Sequence, residues 1–256
     1  MELIDSHCHL YLPAFAEDID GVIQRARSAG VGQFYLPAID LEHEAALFNL
    51  EAAYPGVCFA MQGLHPCSVK SDVDEALQHI ESSFATRSFA AVGETGLDFY
   101  WDRTFEKEQY HAFHQQIEWA LQYDLPVVIH SRESIQQTIA VIREHQKGNL
   151  RGVFHCFNEY EESARQIIDL GFYMGIGGTL TYKNSKLPEL IKKIGLNHIV
   201  LETDAPYLPP VPFRGKRNES SYLVLIAEKM AEVLNVDVEE VAHLTTANTR
   251  KLFQKP

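Results

Sequence analysis

The segment that decides the fold is Leu3-Ile-Asp-Ser-His-Cys-His9, near the start of a chain of 256 residues. Its apolar beginning predicts a short buried strand, and this strand ends in two histidines that flank Cys8. An open doubly wound sheet is the main alternative, and it usually carries a glycine-rich phosphate loop after its first strand. Because histidines stand in that place here, a closed barrel is favoured.

Short apolar segments recur along the whole chain, and amphipathic helical segments separate them. Helices are predicted over residues 18–29, 43–54, 74–84, 106–123, 134–145, 160–170 and 187–193, with two more over residues 219–253. Strands are predicted over residues 3–7, 32–37, 57–64, 89–93, 126–130, 152–155, 172–175 and 199–202. Strands that are apolar on nearly every residue are typical of a parallel sheet buried on both faces. The pattern predicts an α/β fold, a (β/α)8 TIM barrel with C-terminal helices, forming one domain over residues 1–256.

The chain is acidic, with 35 Asp and Glu residues against 22 Lys and Arg residues and a net charge of −13. A broad basic face for nucleic acid is therefore disfavoured, whereas a small local basic patch stays open. The four cysteines form no C-x-x-C pair, which predicts reduced thiols. The N-terminus is acidic and lacks the pattern of a secretory signal, so we expect a cytoplasmic protein without a membrane partner.

Six of the eight predicted strands end in His, Glu or Asp or are directly followed by one of them, and in a barrel these ends meet at one mouth. His7 and His9 stand two residues apart, so their imidazoles point to the same side of the strand. One catalytic zinc usually takes three protein ligands, whereas four imidazoles and two carboxylates suit two divalent ions that share a bridging group. Zinc fits this imidazole-rich set best, with manganese, iron or magnesium as alternatives. The candidate ligands are His7, His9, Glu94, His130, His155 and Asp204.

The motifs resemble those of the TatD-like metal-dependent deoxyribonucleases, within the amidohydrolase-type barrels. The resemblance covers essentially the whole chain, and several spaced motifs occur in the right order. They are Asp5-Ser-His-Cys-His-Leu10, Gly63-Leu-His-Pro66, Gly93-Glu-Thr-Gly-Leu-Asp98, Leu125-Pro-Val-Val-Ile-His-Ser-Arg132, His155-Cys-Phe157, Glu202-Thr-Asp-Ala-Pro206 and Arg214-Gly215.

The resemblance implies a two-metal site in which Glu94 is the bridging ligand. One ion would be held by His7, His9, Glu94 and Asp204, and the other by Glu94, His130 and His155. It further implies that His65 and Arg132 lie near the scissile phosphate. The implied activity is hydrolysis of DNA phosphodiester bonds, often as a 3′-to-5′ exonuclease.

Within that activity, Asp204 is predicted to act as the general base in addition to its role as a ligand. Single-stranded or frayed DNA ends are the expected substrate, because an acidic chain cannot follow a long duplex backbone. The aromatic residues at 99–101 either stack on a base or simply line the active-site cleft, and both interpretations stay open. The few candidate substrate-binding residues are His65, Arg132, Arg214, Lys216 and Arg217.

Two other classes of function are compatible with these motifs. The same barrel could carry another metal-dependent hydrolase, of the phosphotriesterase, lactonase or deaminase type, and fold alone does not separate these. A metal-binding protein without enzymatic activity is the third hypothesis. Glu94, His65 and the cationic run at residues 214–217 favour an anionic phosphate substrate.

Overall fold

The computed structural model describes residues 1–253, and residues 254–256, the end of the predicted domain, lie outside it. The strands are β1 (Leu3–Asp5), β2 (Val31–Leu36), β3 (Cys58–Ala60), β4 (Val92–Asp98), β5 (Val127–Arg132), β6 (Gly152–Phe154), β7 (Tyr173–Ile176) and β8 (Ile199–Leu201). The helices are α1 (Ile19–Ser28), α2 (Glu44–Ala53), α3 (Val73–Phe84), α4 (Glu106–Tyr123), α5 (Ile135–His145), α6 (Glu161–Asp169), α7 (Leu187–Ile194), α8 (Leu223–Leu234) and α9 (Val238–Phe253). None of the helices in residues 1–253 is both long and apolar enough to cross a membrane.

All neighbouring strands pair in parallel, in the order β1-β2-β3 and β4-β5-β6-β7-β8. A single bridge between Gln62 and Val92 connects the two groups on one side. On the other side, the backbone N–H of Ser6 donates to the carbonyl oxygen of Leu201 at 3.1 Å. The strands therefore follow one another around a (β/α)8 barrel whose ladder is interrupted at two seams, and the predicted fold class is confirmed.

Helix α4 has the bounds that the periodicity of its apolar residues predicts, and it packs its apolar face on the barrel. Phe113, Ile117 and Ala120 lie three and four residues apart and are fully buried against the barrel. Burial of each large apolar side chain contributes about 1.5–3 kcal/mol to stability. Gly30 and Gly171 follow α1 and α6 with φ values of +94° and +78°, as expected of glycines that end helices.

Strand β4 differs most from its prediction, because residues 89–93 were expected and the strand spans Val92–Asp98. Glu94, Thr95 and Asp98 are polar but almost fully buried, so the end of the apolar run did not mark the end of the strand. The tail also differs, since α8 begins at Leu223 rather than near Glu219. Glu219 has an extended backbone, and its carboxylate accepts hydrogen bonds from Arg25.

Candidate metal centre

Glu94 lies between two pairs of imidazoles, near the carboxyl end of the barrel strands. Its Oε2 atom is 3.3 Å from His7 Nε2 and 3.7 Å from His9 Nε2. Its Oε1 atom is 2.8 Å from His155 Nε2 and 3.0 Å from His130 Nδ1. The side chain is 2% exposed, so its two oxygens face these imidazoles rather than solvent.

Asp204 reaches the first pair of imidazoles from the loop after β8. Its Oδ1 atom is 3.5 Å from His9 Nε2 and 3.8 Å from His7 Nε2. The residue has a φ of +56°, in the left-handed region that Asp and Asn tolerate better than most residues. Next to it, Thr203 donates through its N–H and hydroxyl to the Asp5 carboxylate, at 2.9 and 2.6 Å. This contact joins β1 to the loop after β8 and holds Asp204 near the two histidines.

Two histidines are oriented by partners on the outer side of the cluster. The hydroxyl of Tyr11 donates to the carbonyl of Pro37 at 2.6 Å, so its oxygen accepts from His9 Nδ1 at 3.1 Å. On the opposite side, Asp98 Oδ2 lies 2.8 Å from His130 Nε2. Each contact places a proton on the outer nitrogen and leaves the inner nitrogen free to coordinate a metal.

His65 also faces Glu94, but with a protonated ring nitrogen. Its Nδ1 accepts a hydrogen bond from the backbone N–H of Cys67 at 3.0 Å, so in a neutral ring the proton lies on Nε2. That Nε2 is 3.4 Å from Glu94 Oε1 and 3.3 Å from His130 Nδ1. His65 therefore offers a hydrogen-bond donor, whereas His9 and His130 offer lone pairs.

The charges of the cluster are set by mutual contacts that oppose burial. Burial raises the pKa of Glu94, but the neighbouring His155, His65 and His7 outweigh it and hold that pKa well below its usual range. Burial also raises the pKa of Asp204, but its contacts with His9, His155 and His7 outweigh burial and lower that pKa. Both carboxylates are therefore charged at neutral pH, as metal ligands must be.

The residues present fit divalent metal ions. His7 Nε2 and His9 Nε2 approach to 3.3 Å, and the buried Nδ1 of His7 has no hydrogen-bond partner within residues 1–253. Imidazole nitrogens and carboxylate oxygens are common ligands of zinc and manganese. Donor atoms lie within 4.8 Å of one another in three sets, namely His7 with His155 and Asp204, His7 with His9 and Glu94, and His65 with Glu94 and His130.

The six predicted ligands thus come together at one mouth, but two residues that support them were not predicted. Asp98 stands four residues after Glu94 in β4, and this even spacing on a strand could have indicated a shared side. Tyr11 has no comparable signal, because the chain after β1 is not a regular strand. Glu202 also faces a predicted ligand, because its Oε1 atom is 3.6 Å from His155 Nδ1.

The predicted cationic residues lie in two regions. The Arg132 guanidinium is 3.8 Å from the ring centroid of Tyr100, at the end of β5. In the loop after β8, Arg214 lies 4.0 Å from the ring centroid of Tyr182, and Lys216 lies 5.8 Å from that of Phe213. The fourth cation, Arg217, donates to both oxygens of Asp18, at 2.7 and 2.8 Å, and so is already paired.

The aromatic run after β4 is divided between the interior and the surface. Phe99 is 8% exposed and packs in the core, whereas Tyr100 and Trp101 are 48% and 68% exposed. The glycine cluster after β7 is used for packing: a Cβ on Gly178 would lie within 3 Å of backbone atoms of Leu208 and Pro210. The surface thus retains two aromatic side chains beside the predicted metal site.

A parallel β/α barrel whose strand ends bring together four histidines and two carboxylates has the fold and donor set of a metal-dependent hydrolase. The model of the TatD related DNase family matches residues 4–254, and the chain belongs to this family. The resemblance inferred from the sequence motifs is therefore confirmed.

Relatives match over nearly their whole length. The uncharacterized metal-dependent hydrolase YabD of Bacillus subtilis is 34% identical over 253 residues, which cover 98% of this chain and 99% of YabD. A protein of Edwardsiella piscicida named 3′-5′ ssDNA/RNA exonuclease TatD is 31% identical over 258 residues, covering 98% and 99% of the two chains.

Solved structures agree with the fold. The TatD homologue YjjV of Escherichia coli K12 superposes with a TM-score of 0.92 at 32% identity, covering 99% of this chain and 98% of YjjV. The phosphotriesterase homology protein of Escherichia coli has a TM-score of 0.72 at 13% identity and covers 99% of both chains. The second likeness concerns the barrel alone, whereas the likeness to YjjV agrees with membership of the TatD family.

Proposed function

We propose that the protein hydrolyses DNA phosphodiester bonds as a 3′-to-5′ exonuclease that prefers single-stranded or frayed ends. The observation that carries this proposal is the Glu94 carboxylate, whose two oxygens face separate pairs of imidazoles. A bridging carboxylate between two cations suits displacement at a phosphate, where attacking and leaving oxygens both gain negative charge. The name of the Edwardsiella piscicida relative supports the same class of substrate.

In this proposal, the metal ligands divide around Glu94. His7, His9 and Asp204 would hold one divalent ion with Glu94, and His130 and His155 would hold the other. Two ions bound there would lower the pKa of a coordinated water toward about 7 and stabilise the charge that develops on oxygen. Zinc suits the imidazoles, and manganese or magnesium are the alternatives.

Asp204 is the general base of the proposal. Its side chain is 13% exposed, more than that of His7 or His9, so it is more accessible from the mouth than these two histidines. The contacts with these imidazoles lower the pKa of Asp204 and keep it unprotonated, so its carboxylate can accept the proton of the attacking water.

His65 binds the scissile phosphate in this proposal rather than a metal. The N–H of Cys67 occupies its Nδ1, and its Nε2–H points toward the cluster, 3.4 Å from Glu94 Oε1. A neutral N–H donor can hydrogen-bond to a phosphate oxygen but cannot coordinate a cation.

The cations of the mouth give the substrate preference. Arg132 and Arg214 are exposed and lie over tyrosine rings, while Lys216 extends from the same loop as Arg214. Arg217 was predicted to bind substrate too, but its pairing with Asp18 gives it a smaller part in the proposal. So few cations on an acidic chain favour a short contact with a single strand over a long contact with duplex. The predicted cytoplasmic location stays a prediction.

The test is metal-supplemented turnover of matched single-stranded DNA, blunt duplex DNA and a simple phosphodiester. We expect stepwise shortening of the single strand from its 3′ end, slower attack on blunt duplex, and loss of most of kcat in Asp204→Asn. Hydrolysis of a lactone or a phosphotriester with no cleavage of DNA would instead support another hydrolase on this barrel.

A further inference from the structure

A cleft of about 160 Å³ lies beside the metal centre, between the loops that follow β3 and β4. Cys67 and Lys70 line one side, and Trp101, Asp102 and Phe105 line the other. The segment of the first loop that lines the cleft begins at Pro66, directly after His65, and the second loop begins directly after Asp98. Both walls of the cleft therefore start at residues that contact the predicted metal ligands Glu94 and His130.

The walls combine exposed aromatic rings with cations. Trp101 is 68% exposed, although large apolar side chains are normally buried. The Arg132 guanidinium lies 5.2 Å from the Trp101 ring centroid, and the Lys70 ammonium lies 5.6 Å from that of Phe105. Flat aromatic faces stack on nucleobases, and nearby cations attract the adjoining phosphates. The cleft thus has the chemistry of a nucleotide subsite.

Hydrogen bonds to Asp98 fix the wall that carries Trp101 relative to the predicted metal ligand His130. Asp98 Oδ1 accepts hydrogen bonds from the backbone N–H groups of Tyr100 and Trp101, at 3.0 and 3.2 Å. The other oxygen of the same carboxylate faces His130 Nε2 at 2.8 Å. The Gln109 amide bonds both the N–H and the carbonyl of Asp98, at 3.0 and 3.2 Å. One carboxylate therefore sets the positions of both the aromatic wall and a predicted metal ligand.

We propose that this cleft binds a nucleobase of a single-stranded substrate, next to the nucleotide whose phosphodiester bond is cleaved. Trp101 stacks on the base, and Lys70 contacts the adjoining phosphate. The inference rests on the proposed function, because it names the subsite that holds the strand while its end lies at the metals.

Binding can be measured without turnover, because the chain has two tryptophans in different environments. Trp119 is 1% exposed, so a change in fluorescence on adding a short oligothymidylate in excess chelator reports on Trp101. We expect saturable quenching in the wild type and its loss in Lys70→Glu. The absence of saturable quenching in the wild type would overturn the proposal.

Turnover gives the second readout, as the ratio of kcat/KM for the oligothymidylate to kcat/KM for methyl 4-nitrophenyl phosphate, which has no nucleobase. Stacking on one aromatic side chain is worth about 1–3 kcal/mol, so Trp101→Ala should lower this ratio by about 5- to 150-fold, mainly through KM. Trp101→Phe keeps an aromatic face and should recover most of the loss.

The two proposals fail in different ways. If the wild type cleaves the oligothymidylate and Trp101→Ala leaves the ratio unchanged, the cleft proposal is overturned while the proposed function stands. If Trp101→Ala lowers both rates equally, the residue acts on the fold, and the cleft proposal is again overturned. If the wild type cleaves neither substrate, the proposed function fails, and the quenching titration alone decides the role of the cleft.

Discussion

Asp98→Asn is the most informative single change outside the predicted ligands, because it should alter metal affinity without disturbing the fold. The carboxylate is 1% exposed, and its pKa is held at about 2, since contacts from His130 outweigh the effect of burial. Oδ1 accepts from the loop at Tyr100 and Trp101, and Oδ2 faces His130 Nε2 at 2.8 Å. In the variant, the amide oxygen can keep the loop contacts, and the amide NH₂ then faces His130.

That NH₂ group can only donate, so it forces His130 Nε2 to accept and moves the proton to Nδ1. Nδ1 is the atom that lies 3.0 Å from Glu94, and a protonated nitrogen cannot coordinate a metal. Loss of a partner of this kind typically costs 10- to 100-fold in metal affinity, which is about 1.4–2.7 kcal/mol. We expect a loss of that size, together with a lower thermal midpoint of the metal-free protein, because the variant also loses the charged contact with His130.

The assay is a competitive titration of metal-free protein with zinc in the presence of a chelating indicator. Asp74→Asn is the matched control, because Asp74 pairs with His111 at 2.9 Å on the exposed surface, where no loss is expected. Equal zinc affinities for Asp98→Asn, Asp74→Asn and the wild type would refute the assignment of Asp98 as the residue that orients His130.

Three further outcomes are expected. Gly178→Ala should lower the free energy of unfolding by about 1–3 kcal/mol, because the added Cβ would meet the backbone of the loop after β8. Gly32→Ala is the control, because the space at its Cβ is open and little effect is expected. Equal urea midpoints for the two variants would contradict this prediction. A hydrogen bond from Arg217 lowers the pKa of Asp18 to about 2, so the charged carboxylate stabilises the fold fully above about pH 4, and this stabilisation is lost as the pH falls through about 2. Asp18→Asn should therefore lower the free energy of unfolding in urea by up to about 1 kcal/mol at pH 7 and by less at pH 3. A larger loss at pH 3 than at pH 7 would be inconsistent with this ion pair. Arg214→Ala should reduce the salt dependence of oligonucleotide binding by about 0.7 in the slope of log K, and an unchanged slope would remove this residue from the substrate site.

The barrel was predictable because its strands are buried on both faces and therefore form short apolar runs in the sequence. Helix α4 was predicted with its observed bounds for the related reason that its apolar residues recur three and four apart. The bounds of β4 were predicted wrongly because this signal fails there: Glu94 and Asp98 are polar but buried, and both contact His130 of β5. Such contacts join residues of different strands, so the apolar pattern of a single strand does not reveal them.

The sequence predicted which residues come together in the candidate site, but it did not predict which of their atoms face one another. The position of His130 at the end of a strand indicated the mouth of the barrel, yet which of its nitrogens faces Glu94 depends on Asp98. His65 lies within reach of the same cluster, and only the N–H of Cys67 on its Nδ1 distinguishes a donor from a ligand. Arg217 was grouped with Arg214 because they are close in sequence, although its guanidinium turns toward α1 and pairs with Asp18.

The central claim is that the cluster around Glu94 hydrolyses DNA with divalent metal ions. The most direct test is the rate at which metal-loaded wild-type protein and its Asp204→Asn variant shorten a 5′-labelled single-stranded oligonucleotide, with the metal content of both proteins measured in the same samples. We expect stepwise cleavage by the wild type, abolished by chelator and reduced at least 100-fold in the variant, on the order expected when a general base is lost. Cleavage at the same rate by both proteins, or no cleavage by wild-type protein that carries its metal, would contradict it.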